Sequence, residues 1–164
     1  MPFYLKPRDI FSDTSAIRSA LIVPCRFCPA ASCAVREHKP YLQLWRSFLR
    51  TPSYEAHIRA LKARLESRGI STTVFDSKWP HHFVMCMWPA RRRAELSKRV
   101  AGYDEAIVLG CDAAVQTVRS ALASTECRVV PGMEVEGVMN VTPTVRFPLS
   151  VRLELSGVSR VTQN

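Results

Sequence analysis

The sequence predicts an α/β protein: a mostly parallel four-stranded sheet with flanking helices, followed by a C-terminal antiparallel β-hairpin or arm. Three observations lead there. Short apolar, β-branched runs recur at Ala20–Val23, Ile70–Phe75, Glu105–Leu109 and Cys127–Val130. Segments of helical period separate them, and strands alternating with helices imply parallel pairing through right-handed crossovers. Beyond residue 131 the helical period is lost, and Val135–Val141 and Val145–Val161 alternate, with Pro143 between them. Residues 1–131 therefore read as an α/β domain and residues 132–164 as an extension of the same domain.

Each element has its own signal. Residues 1–16 hold two prolines and no clear period, so they read as an irregular leader. After the first strand, Tyr41, Leu42, Leu44, Trp45, Phe48 and Leu49 recur at helical spacing. Ser53 is a plausible N-cap for the next helix, with Glu55 in its first turn and Gly69 as its stop. Ile58, Leu61 and Leu65 share one face of that helix. Pro89 at a first helical position opens a helix over roughly residues 90–101. Gly110-Cys111-Asp112 is a strand-to-helix turn, and Ala113–Leu122 turns Val115, Val118 and Leu122 inward.

Composition narrows the function classes. The chain has 164 residues, enough for one domain with a real core and no disulfide staples. No apolar run approaches the roughly 20 residues of a membrane span, and the N-terminus lacks a signal-peptide core. A cytoplasmic location is the resulting expectation, and in a reducing compartment clustered cysteines point to metal or redox chemistry. The net charge of +9 is spread along the chain. No nucleic-acid-binding motif accompanies it, which argues against nucleic acid and for an acidic partner or an anionic ligand. The densest run, Arg91-Arg92-Arg93, falls in the first turn of a helix, where cations oppose the helix dipole. Those three arginines are the candidate partner-binding residues. Paired carboxylates, a serine triad, a phosphate loop and a dinucleotide fingerprint are all missing, so an accessory or electron-transfer subunit is favoured over a stand-alone enzyme.

The chemistry lies in the six cysteines. Cys25, Cys28 and Cys33 follow the first strand, Cys86 lies in the loop after the second, and Cys111 ends the third. Those loops leave a parallel sheet at its carboxyl edge, where such sheets bind ligands. A Cys-x2-Cys-x4-Cys loop lets neighbouring thiolates reach one centre, as tetrahedral thiolate sets do for zinc or iron–sulfur clusters. Cys25, Cys28, Cys33 and Cys111 are the candidate ligands, with Cys86 in reserve. His81 and His82 are further candidate zinc ligands. Arg26 and Arg36 would add positive potential favouring thiolates. Cys127 begins the fourth strand, at the opposite edge, and reads as a small buried hydrophobe.

The element order and the segment Val108-Leu109-Gly110-Cys111-Asp112-Ala113-Ala114-Val115-Gln116-Thr117-Val118 resemble the small partner subunit of methylenetetrahydrofolate reductase. That family also occurs as a C-terminal domain of such reductases. The resemblance covers roughly residues 17–131. It implies cysteine ligands for an iron–sulfur cluster of the 4Fe-4S type, or for zinc, and a flavin-containing reductase as partner in one-carbon metabolism. Cys25, Cys28 and Cys33 match its first cysteine loop, Cys111 matches the cysteine before the Val-Gln pair, and Cys86 matches a further position. Asp112 and Ala114 stand where that family has small, glycine-like residues. Two alternatives stay open beside it: a zinc-stabilised interaction module without redox role, and a thiol oxidoreductase using Cys25-Arg26-Phe27-Cys28.

Overall fold

The computed structural model describes residues 2–11, 17–43, 50–76, 82–147 and 150–160. Four strands form a wholly parallel sheet: β2 (Ser19–Pro24), β4 (Ser71–Val74), β5 (Glu105–Leu109) and β6 (Arg128–Pro131), in the order β4-β2-β5-β6. The two central strands, β2 and β5, are near-continuous apolar runs because they are covered on both faces. Every residue of β5 is buried, as are Ala20–Pro24 of β2.

The second sheet is larger than a C-terminal hairpin. It has four antiparallel strands in the order β1-β7-β8-β3, made of β1 (Phe3–Pro7), β3 (Leu42–Gln43), β7 (Met133–Arg146) and β8 (Ser150–Ser159). The leader expected to be irregular supplies β1, which pairs Phe3 with Val138 and Pro7 with Met133. Five residues with a terminal proline carry too little pattern to declare themselves, and the pairing with β7 makes them a strand. Pro143 does not separate two strands. It sits inside β7, opposite Leu153 of β8. Beyond Val138 no described strand pairs with the other side of β7, so a residue without an N–H is tolerated there.

The helices are α1 (Cys28–Arg36), α2 (Pro52–Glu66), α3 (Ala90–Arg99) and α4 (Asp112–Ala121). Helix α1 replaces the expected cysteine loop. Pro29 sits in its first turn, and alanines fill much of the rest. All residues from Cys28 to Val35 are buried, because α1 packs against β1, β8 and α2. Of the expected helix beginning at Tyr41, residues 44–49 lie outside the described residues, while Leu42–Gln43 pair with β8. Helix α2 starts two residues earlier than expected, with Thr51 at the N-cap and Pro52 in the first turn. It stops before Gly69, whose φ of +80° suits glycine. Helix α3 has Pro89 at its N-cap rather than inside it. No helix among the described residues is long and apolar enough to cross a membrane.

Candidate thiol centre

The parallel sheet positions the site. The chain places β4 on one side of β2 and then β5 on the other, so the connections after β2 and β5 diverge from adjacent strand ends. A crevice opens at such a reversal. Cys25 follows β2, Cys28 opens α1, and Cys111 is the N-cap of α4 directly after β5. The Cys25 amide donates to Leu109 O at 2.9 Å, which ties the two strand ends together. Gly110 permits the close approach: a Cβ there would lie 2.5 Å from Ala114 Cβ and 3.4 Å from Cys25 Cβ.

The sulfurs divide into two groups. Cys28 and Cys111 lie close enough for each to shift the other's acidity, and Cys25 lies within electrostatic reach of Cys28, Cys111 and Cys86. Three of these thiols are buried, and Cys86 is exposed on the 3-10 turn Met85–Met87. Cys33 is not brought to them. Helical geometry turns it about 140° around the axis from Cys28, five residues earlier. There it is buried, with Arg36 and Glu37 as its charged neighbours. The loop expected to present three thiols together is a helix, and a helix cannot present positions five apart on one face. Cys127 is buried at the other edge of the sheet, where β6 begins.

The surroundings explain the acidities. Cys111 is held below the ordinary thiol range. The neighbouring Cys28 thiol and the amides of Ala113 and Ala114 at the start of α4 favour its thiolate. Cys28 is correspondingly raised, by the neighbouring Cys111 and by burial. Burial pushes Cys25 up to about 11, although the amides of Met85 and Phe27 favour its thiolate. Its sulfur also contacts Phe83 O at 3.6 Å. Burial likewise raises Cys33 to about 11.

A charged network with no signature in residue spacing lies beside Cys25. Arg26 is buried, and its guanidinium pairs with Glu55 at the start of α2 and with Asp76 at 2.8 Å. Arg50 reaches the same two carboxylates, at 3.6 Å and 2.9 Å. Arg26 therefore anchors the loop after β2 to α2 and the end of β4, and two carboxylates offset its charge. Arg36 turns elsewhere: it donates to Leu5 O and lies over the Tyr4 ring.

The arginine run splits by helix face. Arg91 and Arg93 are exposed. Arg92 is buried, so it is not available for a surface contact. Its guanidinium lies 4.0 Å from the Phe75 ring centroid, donates to Asp76 O at 2.8 Å and pairs with Glu95 at 2.8 Å. Trp88 Nε1 donates to His82 O, which fastens the segment carrying Cys86. His81 lies outside the described residues.

Among the described residues, no group of three or more histidine, cysteine, aspartate or glutamate side chains has the arrangement of a formed metal site. The donor chemistry nonetheless suits a soft metal. Cys25, Cys28, Cys86 and Cys111 are four sulfurs from three loops, and backbone N–H groups face Cys25 and Cys111. No protein-family model, curated protein or solved structure matches the chain.

Proposed function

We propose that this chain is a thiolate-based metal or iron–sulfur protein that serves a partner oxidoreductase. The observation that carries the reading is the proximity of Cys28 and Cys111 at adjacent strand ends, with Cys25 within electrostatic reach of both and Cys86 within reach of Cys25. Cys25, Cys28, Cys86 and Cys111 would hold the group. An iron–sulfur cluster supplies one-electron transfer there, and zinc supplies a structural cross-link. The start of α4 holds Cys111 toward its thiolate, and the Met85 and Phe27 amides do the same for Cys25. Exposed Phe27 and Met87 flank the thiols in sequence and give the rim an apolar contact surface. Arg91 and Arg93 suit an acidic partner. The resemblance of Val108–Val118 makes a flavin-containing methylenetetrahydrofolate reductase-like protein the proposed partner, in the cytoplasm. Anaerobic purification followed by iron, zinc and sulfide analysis tests the reading. Brown protein with iron and sulfide near stoichiometry supports the cluster, and colourless protein that chelators unfold supports zinc. A metal-free, well-folded protein that takes up neither would overturn both.

One observation favours a second reading, a dithiol redox centre. Cys28 and Cys111 shift each other's acidity in opposite directions, which pairs a thiolate-prone sulfur with a proton-bearing one. Cys111 would attack a disulfide of an oxidised partner, releasing one partner thiolate. Cys28 would then displace the second, leaving Cys28–Cys111 as a disulfide and the partner as a dithiol. This differs from the Cys25–Cys28 pair expected from the motif, because burial suppresses the Cys25 thiolate. An insulin-reduction assay that is lost on Cys111→Ser and retained in Cys25→Ser would support it.

A further inference from the structure

A second feature lies at the far end of α1, eight residues and roughly 12 Å along the helix axis from Cys28. A groove of about 570 Å³ opens between the end of α1 and the β7–β8 arm. Its size falls within the ~300–1,000 Å³ typical of small-molecule sites. Arg36 and Lys39 enter it from the helix end, and Arg146 and Arg152 from the arm. Glu154 is the one carboxylate among the described residues that line it, and its Oε1 accepts a hydrogen bond from Thr144 Oγ1 at 3.2 Å. Tyr4 and Leu153 add apolar surface.

Arg36 and Lys39 have a local explanation, since cations at a helix C-terminus complement its dipole. Arg36 also bonds Leu5 O, and Lys39 pairs with Glu37. That explanation does not reach Arg146 and Arg152, which belong to another sheet. Moreover, Arg152 Nε is shielded from solvent and has no hydrogen-bond partner among the described residues. A ligand in the groove would meet the remaining N–H groups of Arg152 and those of Arg146, and neither arginine pairs with a carboxylate among the described residues. Guanidinium forks match phosphate and carboxylate groups, in two-point contacts.

We infer that this groove binds a small organic polyanion, with Arg146 and Arg152 clamping its phosphate or carboxylate groups and Tyr4 and Leu153 contacting its apolar part. The test is calorimetric titration of the full chain, at fixed ionic strength, with pyrophosphate in one arm and tricarballylate in the other. Saturable one-to-one binding of either probe is expected, and the tighter one identifies the anionic group. The dissociation constant should rise at least about tenfold, the scale of one lost charge-assisted contact, in Arg152→Gln and separately in Arg146→Gln. The exposed Arg119→Gln, on α4, should leave it unchanged. Arg146 is exposed, so its variant keeps the test decisive if Arg152→Gln misfolds. Non-saturating heats with both probes, or equal weakening by Arg119→Gln, would show general ionic attraction only and overturn the inference.

Discussion

The two edges of the parallel sheet use the same residue types to opposite ends. At the carboxyl edge, Cys28 and Cys111 meet, and the start of α4 favours a thiolate. At the amino edge, Cys127 lies near Glu105 and Asp104, and burial together with those carboxylates pushes its thiol up to about 11. The amino edge is instead fastened by carboxylates. Asp104 Oδ2 accepts the amides of Arg18 and Ser19 at 2.8 Å and 2.9 Å, and fully buried Glu105 pairs with Arg128. Strand direction decides the difference. Helix N-termini, with their free N–H groups, follow the carboxyl ends of parallel strands, so thiolates are favoured at one edge and suppressed at the other.

The largest expected effect is on metal content. Cys28→Ala or Cys111→Ala should remove nearly all iron or zinc from anaerobically purified protein, measured by elemental analysis. Cys33→Ala and Cys127→Ala should leave it at the wild-type level. Loss of metal in Cys33→Ala would return that residue to the site.

The next effect is on stability at the amino edge. Arg128→Met leaves Glu105 as a buried charge without its arginine, and should cost about 3 kcal/mol in urea denaturation. A loss below about 0.5 kcal/mol would mean that this pair behaves like an ordinary surface ion pair.

Gly110→Ala probes the carboxyl edge with a smaller cost. The added methyl would meet Ala114 Cβ at 2.5 Å, and overpacking of this kind costs about 2 kcal/mol. The variant should also push α4 away from β2, so its metal content should fall along with its denaturation midpoint. An unchanged midpoint would show that the two strand ends are not in tight register.

These contrasts also show what the sequence discloses. The central parallel strands were legible because Ala20–Val23 and Ala106–Leu109 are continuous apolar runs of a length that suits buried strands. Cys25, Cys28 and Cys111 follow from strand order and the carboxyl-edge rule. The N-terminal strand was not legible, because Phe3–Pro7 is extended only through its pairing with β7. The place of Cys33 was hidden by reading Pro29 as a loop residue when it is in a helix's first turn. Likewise, nothing in the spacing of Arg26, Glu55 and Asp76 announces that they meet.

The smallest effect is on pH dependence. Cys127 and Cys33 are raised in the fold to about 11 from the ordinary thiol range, so their neutral forms are favoured there. Their contribution is fully present below about pH 8.5. It is lost as the pH rises through the folded values. The thermal midpoint should therefore decline between about pH 8.5 and 11. Cys127→Ala should flatten part of that decline, and an unaltered slope would locate the alkaline sensitivity elsewhere.

Cys28 and Cys111, distant in sequence, are proposed to form one thiol centre from which Cys33 is excluded. Cross-linking of the native, reduced full chain with dibromobimane, followed by peptide mass mapping, measures this directly. A Cys28–Cys111 bridge is expected as the main product, with Cys25 or Cys86 as the secondary partner and Cys33 unmodified. A dominant Cys28–Cys33 bridge, with Cys111 left free, would contradict it.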